Sequence, residues 1–477
     1  MNNKKTIVWF RKDLRLSDNP ALFEASQQGE ILPIYILEED DDDSRWCLGA
    51  AQKWWLYNSL KNLDSDLKQN NAKLILRKGN SLSIISQLVK DVKADAVFWN
   101  RCYEPSSIQR DTSIKEYLKG SGIEAKSFGA NLLFEPWKVK NNSGNYFKVF
   151  TPFWKSCNLN HNPRSLYSVP VIKTCDNNIE TDDIDSWELI PTAPNWAKKF
   201  SKCWIPGENN AQNLLSEFID SNIGKYATNR DIPGVNGTSR LSPYLHFGEI
   251  SPHQIWYKIK DYHNMNILGS SVDKYLAEIG WREFSYHLLY NYKDLPSREF
   301  NLKFQNFPWK LDSENLIRWQ KGMTGYPIVD AGMRELWSTG WMHNRVRMIV
   351  ASFLTKHLLI SWQEGAKWFL DTLLDADLAS NSAGWQWVAG CGADAAPYFR
   401  IFNPIMQGMK FDTSGEYIRK WIPELGPVSN KYIHKPWEAS KEELKSSSIE
   451  LGITYPKPII DHTYARNRAL ELYSKLV

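Results

Sequence analysis

At 477 residues the chain exceeds one ordinary hydrophobic core, so two or three domains are expected. Its 58 basic and 54 acidic residues leave a net charge of only +4, which excludes a uniformly basic nucleic-acid binder and confines any such surface to a local patch. Six cysteines with neither CxxC nor ligand spacing argue for a reducing compartment and against structural zinc, so no metal site is expected. No uncharged run approaches membrane-spanning length and MNNKKTIVWF lacks a signal-peptide core, which predicts a soluble cytoplasmic protein with no membrane contact.

The first 130 residues alternate strand and helix signals. TIVWF, EILPIYIL, AKLILRKG, ADAVFWN and IEAKSFG are short runs rich in β-branched and aromatic residues, separated by helix-like segments such as Gln52 to Gln69 and Ser81 to Val92. That order predicts an α/β domain with a doubly wound parallel sheet, whose ligands bind beyond the carboxyl ends of the strands. FRKDLRLSDN follows the first strand where a dinucleotide fold would carry GxGxxG, so a Rossmann dinucleotide site is disfavoured. The acidic run Glu38 to Asp43 reads as a solvated loop. Residues 131–205 lose periodicity and are rich in Asn, Pro and Ser, as a long linker is, with one short helix in FKVFTPFWKS. Residues 206–477 read as helices nearly throughout, an all-α domain.

Five stretches of the helical part carry chemical side chains. YATNRDIPGVNGTSRLSPYL offers hydroxyls and backbone amides before a helix, an arrangement suited to a pyrophosphate as well as to a plain capped loop. EIGWREF puts Glu278, Trp281 and Arg282 on one helical face, able to clamp a stacked base or to form a surface ion pair beside a core tryptophan. WMHNRVRM crowds Asn344, Arg345, Arg347 and Met348 together, and two arginines there need carboxylate or phosphate partners. DADLASNSAGWQW, residues 375 to 387, sets two aspartates, an asparagine and two tryptophans among small residues that let a flat ligand approach the backbone; a capped helix with core tryptophans would look the same. YFRIFNPIMQGMKF reads as a basic, polar loop with Arg400, Gln407 and Lys410 for phosphate contacts. Tryptophan, at 22, outnumbers both Phe and Tyr, and many of these indoles sit beside Arg, Asn and Gly.

Taken together, WFRKDLRLSDNPAL, GTSRLSPYL, WREF, TGYPIVDAGMRELWSTGWMHNR, DADLASNSAGWQW and DAAPYFRIFNP resemble the photolyase/cryptochrome family, with the closest likeness to class I cyclobutane pyrimidine dimer photolyases. The resemblance implies a helical domain holding FAD. It also implies a light-dependent lyase that splits cyclobutane pyrimidine dimers in UV-damaged DNA by electron transfer from photoexcited FADH⁻. Tyr226, Thr238, Ser239, Arg240, Leu241, Ser242, Arg282, Asn344, Arg347, Asp375 and Asp377 look like FAD contacts, with Arg347 paired to Asp375. Asn381 resembles the residue facing flavin N5.

On the lesion side the resemblance gives Glu278 the dimer carbonyl, sets Trp281 and Trp387 against the fused bases, and places Met348 in the cavity floor. Arg230, Asn344, Arg345, Arg400, Gln407 and Lys410 would hold the flanking backbone. Trp385, Trp362 and Trp309 match the family's electron relay. Six-four photolyases carry a histidine pair where this chain has Asn344 and Met348, which points to the cyclobutane lesion. Plant cryptochromes, the blue-light sensors of the family, carry an aspartate where this chain has Asn381; they often append a long tail, whereas YARNRALELYSKL ends here soon after the shared region. NSAGW stands where NNGGW is commoner. The antenna residues expected of a pterin site fall near Ser106, Ser107, Ser297 and Arg298, which leaves the second chromophore open between methenyltetrahydrofolate, 8-hydroxy-5-deazaflavin and none. A monomer is expected.

Overall fold

The computed structural model describes residues 3–38, 47–175, 179–266 and 269–476. Two compact units form. The first comprises residues 1–195, 204–224 and 239–293, and the second residues 196–203, 225–238 and 294–477.

In the first unit, β1 (Lys4–Phe10), β2 (Gly29–Leu37), β3 (Ile75–Lys78), β4 (Ala96–Asn100) and β5 (Glu124–Phe128) make one parallel sheet in the order β3-β2-β1-β4-β5. All pairings are parallel, so each needs a crossover, supplied by α1 (Pro20–Ser26), α2 (Ala50–Gln69), α3 (Ser81–Val92) and α4 (Pro105–Gly120). Ile7, Trp9, Ile34, Ile75, Val97 and Trp99 from the strands pack with Ile85, Leu88, Ile114 and Leu118 from α3 and α4. The unit continues with α5 (Phe150–Asn160), α6 (Glu208–Ser221), α8 (Ser242–Phe247), α9 (Pro252–Asn266) and α10 (Gly269–Asn291), while α7 (Tyr226–Asn229) belongs to the second unit. Beyond residue 130 the linker is tied to the sheet, where Ile31 N donates to Lys173 O at 2.7 Å and Cys175 N to Ile31 O at 3.1 Å. Beyond Glu38 the acidic run lies outside the described residues.

The polar segment after β1 is consumed by its own neighbours. Asp13 accepts from Arg11 N at 2.5 Å and from Asn100 Nδ2 at 2.6 Å, and Arg11 Nη1 reaches Asp111 at 2.7 Å. Arg15, fully buried, donates to the carbonyls of Gly248 at 2.8 Å and Asp18 at 2.8 Å. Gly248, at φ +69°, could carry no Cβ, because that atom would fall 2.0 Å from Lys12 O. Asn19 caps α1 by accepting from Leu22 N at 3.1 Å, with Pro20 at the first helical position.

The second unit holds α11 (Ser313–Gln320), α12 (Pro327–Thr339), α13 (Asn344–Ser352), α14 (Trp362–Thr372), α15 (Leu378–Ala389), α16 (Pro404–Phe411), α17 (Glu416–Trp421), α18 (Lys441–Ser446) and α19 (His462–Ser474). A π-turn, Phe353–His357, ends α13, so the apolar run Met348 to Leu359 is not one continuous α-helix. Nor is YFRIFNPIMQGMKF a loop throughout. Pro404–Phe411 is helical because Asn403 accepts from Ile405 N at 3.0 Å and Pro404 sits at N1, which puts Gln407 and Lys410 on α16.

TGYPIVDAG owes its residues to a buried turn. Asp330, with no exposure, accepts from Thr324 N at 2.7 Å, Thr324 Oγ1 at 2.6 Å, Gly325 N at 2.9 Å and Tyr455 OH at 2.7 Å. Asp330→Ala strips four buried donors of their acceptor and is expected to lower the unfolding free energy by about 3 kcal/mol in urea titrations. A loss within ~0.5 kcal/mol, the scale of ordinary surface changes, would show that the turn does not depend on this carboxylate.

Candidate functional site

The residues expected to hold flavin divide between the units. Ser239, Arg240, Leu241, Ser242 and Arg282 lie in the first; Tyr226, Thr238, Asn344, Arg347, Asp375, Asp377 and Asn381 lie in the second.

In the second unit Asp375 is buried just before α15, and its Oδ2 takes Arg347 Nη2 at 2.9 Å. Arg347 also donates from Nε to Met342 O at 2.7 Å, and its guanidinium lies 5.9 Å from the Trp341 ring. The other oxygen of Asp375, Oδ1, is buried with no hydrogen-bond partner. A buried acceptor left open in this way is costly unless a ligand donor completes it. Asp377 caps α15, accepting from Ser380 N at 2.6 Å, so the capping role open from sequence is real for this residue. Asn381 donates from Nδ2 to Ala366 O at 2.9 Å, which fixes its amide and turns its carbonyl oxygen away from that contact as an acceptor. Ser382, where the commoner motif has Asn, donates to Leu378 O at 2.7 Å inside the helix and leaves Asn381 undisturbed. A Cβ on Gly384 would meet no atom within 4 Å, so the helix flank there is open.

Arg345 is held more firmly than its sequence context suggested. Its Nη2 donates to Asp231 at 2.8 Å, its Nη1 lies 3.9 Å from Met348 Sδ, and its guanidinium stacks 4.4 Å from the Phe411 ring. Arg230 lies 3.8 Å from the same Asp231 and 5.5 Å from the Tyr226 ring. Asp231 is thus the carboxylate that sequence reading missed; only its place in the run NRD hinted at it. His343 caps α13 by accepting from Arg345 N at 3.2 Å, and burial pulls its imidazole down to about 4, so it is a neutral structural residue. Asn344 and Arg400 are exposed, as is Lys410, whose ammonium lies 5.2 Å from the Phe411 ring; Trp387 is half-buried.

The three tryptophans expected to form the relay, Trp309, Trp362 and Trp385, all lie in this unit. Trp385 packs against Phe369 at 5.0 Å and Trp319 at 6.2 Å, and is seated by Gly365, whose Cβ would fall 2.1 Å from its ring. Trp362 is fully buried and donates to Glu299 at 3.2 Å; Trp309 is half-buried against Phe307 at 4.4 Å.

In the first unit Trp281 of α10 stacks on Phe150 of α5, with centroids 3.8 Å apart and planes 9° from parallel. Gly280 permits this packing, since its Cβ would lie 2.6 Å from the Trp154 ring. Phe150 and Trp154 are further contributors that sequence reading passed over, although it placed a helix there. Glu278 is half-buried one turn earlier on α10. Arg282 donates to Asn131 O at 2.7 Å and lies 3.4 Å from Glu283, whose buried carboxyl is pushed up to about 7. Ser239 accepts from Tyr275 OH at 3.1 Å, and Arg240, at φ +53°, stacks its guanidinium 4.2 Å from Trp204. Leu241 is buried, Thr238 partly buried and Ser242 exposed.

Residues 6–171 match the family model described as DNA photolyase, and residues 275–475 match the FAD binding domain of DNA photolyase. A deoxyribodipyrimidine photo-lyase from Agrobacterium fabrum is 48% identical over 98% of this chain and 97% of its own. The chain belongs to the DNA photolyase family. The solved structure of a bacterial class III photolyase from Agrobacterium tumefaciens superposes with a TM-score of 0.96 at 47% identity, covering 100% of this chain and 98% of that one. Cryptochrome-2 of Arabidopsis thaliana is 39% identical over 100% of this chain and 79% of its own length. The α/β and helical architecture expected from sequence is that of the family, and FAD is the cofactor of its helical domain. The open Asp375 Oδ1, the acceptor of Asn381 and the small-residue flank of α15 fit such a group. Among the described residues no cluster of His, Cys, Asp and Glu forms a metal site, and no helix is long and apolar enough to cross a membrane.

If Trp309 is the outer member of the relay, Trp309→Phe should abolish photoreduction of oxidised flavin while chemically reduced protein keeps its activity on DNA. Loss of both activities together would contradict that assignment.

Proposed function

We propose that this photolyase-family protein repairs cyclobutane pyrimidine dimers in UV-damaged DNA under light. The observation that carries this reading is Asn381, whose amide nitrogen is committed to Ala366 O and whose carbonyl oxygen is thereby left as an acceptor. That acceptor takes the N–H of a fully reduced flavin without setting a second negative charge beside the anionic FADH⁻, as a carboxylate would. When bound, the photoexcited reduced flavin supplies the electron that opens the cyclobutane ring and takes it back, so no nicotinamide site is required.

The chain's own residues then bind and orient. Arg347 holds one oxygen of Asp375, and Asp375 Oδ1 accepts a hydrogen bond from the cofactor. Trp281, braced from behind by Phe150, offers a rigid aromatic face to the splayed bases, which a damaged and poorly stacked pair reaches at lower cost than an intact one. Glu278 hydrogen-bonds a base of the dimer where negative charge develops. Met348 and Trp387, both in the second unit, offer further apolar surface to the lesion. Arg230, Asn344, Arg345, Arg400, Gln407 and Lys410 meet phosphates and sugars of the flanking strand. The name of the Agrobacterium fabrum relative, deoxyribodipyrimidine photo-lyase, supports the same substrate.

The second reading is a blue-light sensor, favoured by the 39% identity to Cryptochrome-2 along the whole chain. Illuminating the reduced protein with thymine-dimer DNA under near-ultraviolet light separates the two: restored thymine is expected, and its absence would favour the sensor. Turnover of six-four lesions alone would assign the protein to that lesion instead. Trp281→Ala is expected to weaken binding of the damaged duplex by about 1–3 kcal/mol, the usual loss of one base stack. Unchanged affinity would remove Trp281 from the lesion pocket.

A further inference from the structure

Lys356 sits in the π-turn that ends α13 and is 1% exposed. Its ammonium donates to the carbonyl oxygen of Arg400 at 3.1 Å and lies 5.2 Å from the centre of the Tyr398 ring. Among the described residues no carboxylate comes within ion-pair distance of it. The groups around it do nothing to balance its charge. Burial pushes the thiol of Cys391 and the phenol of Tyr398 upward, so both are neutral, and Arg400 is a second cation. On the adjoining residue, His357 is pulled down to about 3 by burial and shares a 2.8 Å contact with His462, itself pulled down by burial; Arg468 Nη2 donates to His357 O at 2.5 Å. A buried ammonium without an anion lowers the stability of the fold, so its presence asks for another reason.

That reason lies in the segment it grips. Four residues earlier, Ser352 Oγ accepts from Phe402 N at 3.3 Å, so Ser352 and Lys356 hold the backbone of one segment at 402 and 400. Phe399 is 65% exposed and Arg400 is exposed, and the segment runs directly into the cap of α16, which carries Gln407 and Lys410. A π-turn here inserts the extra residue that a plain α-helix lacks, a feature often found at functional sites.

We propose that Lys356 is a positioning residue for damaged-DNA binding: by tethering the Arg400 carbonyl it fixes the phosphate-contacting segment formed by Arg400 and the start of α16. This rests on the reading of that segment as a DNA contact. Desolvation pulls the Lys356 ammonium down to about 7, so the tether loses its charge-assisted strength as pH rises through that value. Two opposite trends follow. The folded-state value lies below the ordinary 10.5, so the unfolded chain binds more protons between about 7 and 10.5 and fold stability rises with pH across that window. Affinity for damaged DNA falls with pH over the start of the same window.

The test uses the flavin-loaded full chain and, in the dark, a duplex carrying one thymine dimer beside the same duplex undamaged, below and above pH ~7. Lys356→Met should melt no lower than the parent chain and keep its flavin spectrum. It should bind the damaged duplex roughly tenfold more weakly below pH ~7 and show no further fall above it, whereas Lys356→Arg, charged throughout, should restore binding and hold it across the range. Arg400→Ala should weaken binding alone, and adding Lys356→Met to it should cost less than Lys356→Met costs the parent chain, since part of the tether's effect is delivered by the Arg400 side chain. If Lys356→Met binds like the parent at both pH values while the parent still prefers the damaged duplex, the tether is wrong and the DNA reading stands. If the parent chain does not distinguish the two duplexes, the DNA reading itself fails and takes the tether with it.

Discussion

A half-buried guanidinium and a buried carboxylate, Arg347 and Asp375, pair at the place proposed for the flavin in the second unit. Either ion alone would be expensive to remove from water; paired at 2.9 Å, each gives the other a partner between α13 and the start of α15. The pair uses only one oxygen of the carboxylate. Oδ1 is buried and unmet, which makes the pair an unfinished structure rather than a closed structural salt bridge. Asn381 lies six residues further on, its orientation decided by the Ala366 carbonyl. A carboxylate and an amide, each locked on one side and open on the other, are what recognition of a polar flat cofactor needs.

Other polar clusters in this chain look just as chemical in sequence and are finished. Asp330 has four donors, Asp13 is satisfied by Arg11 N and Asn100, and Arg15 is spent on backbone carbonyls. These bonds account for much of the polarity of TGYPIVDAG and FRKDLRLSDN. Lys356 differs from these, since among the described residues its buried ammonium meets a carbonyl and a ring but no carboxylate.

Much of the fold was legible because it rests on local periodicity. The five strands appear where short β-branched runs stood, and the run Ser81 to Val92 matches α3 at both ends. Helix α1 was missed because its seven residues show too little periodicity, although Asn19 and Pro20 announce its start. Helix α16 was hidden inside a segment judged by its charge; the Asn403–Pro404 cap was the available signal. The π-turn left no sequence trace, since Leu and Phe at those positions satisfy an α-helix equally well. For the site, residue types were readable and partners were not: Asp231 meets Arg345 across 114 positions, and Phe150 meets Trp281 across 131. Contacts at such separations follow from tertiary packing, which spacing along the chain does not encode.

The flavin content of purified Asp375→Asn, compared with the parent chain at equal helicity by circular dichroism, tests the central claim most directly. The exchange keeps the shape of the side chain and removes the charge that Arg347 balances, so the parent should carry FAD with its visible absorption while the variant loses most of it on dialysis. A variant that stays as yellow as the parent, or a parent that comes out colourless and refuses added FAD, would contradict the account.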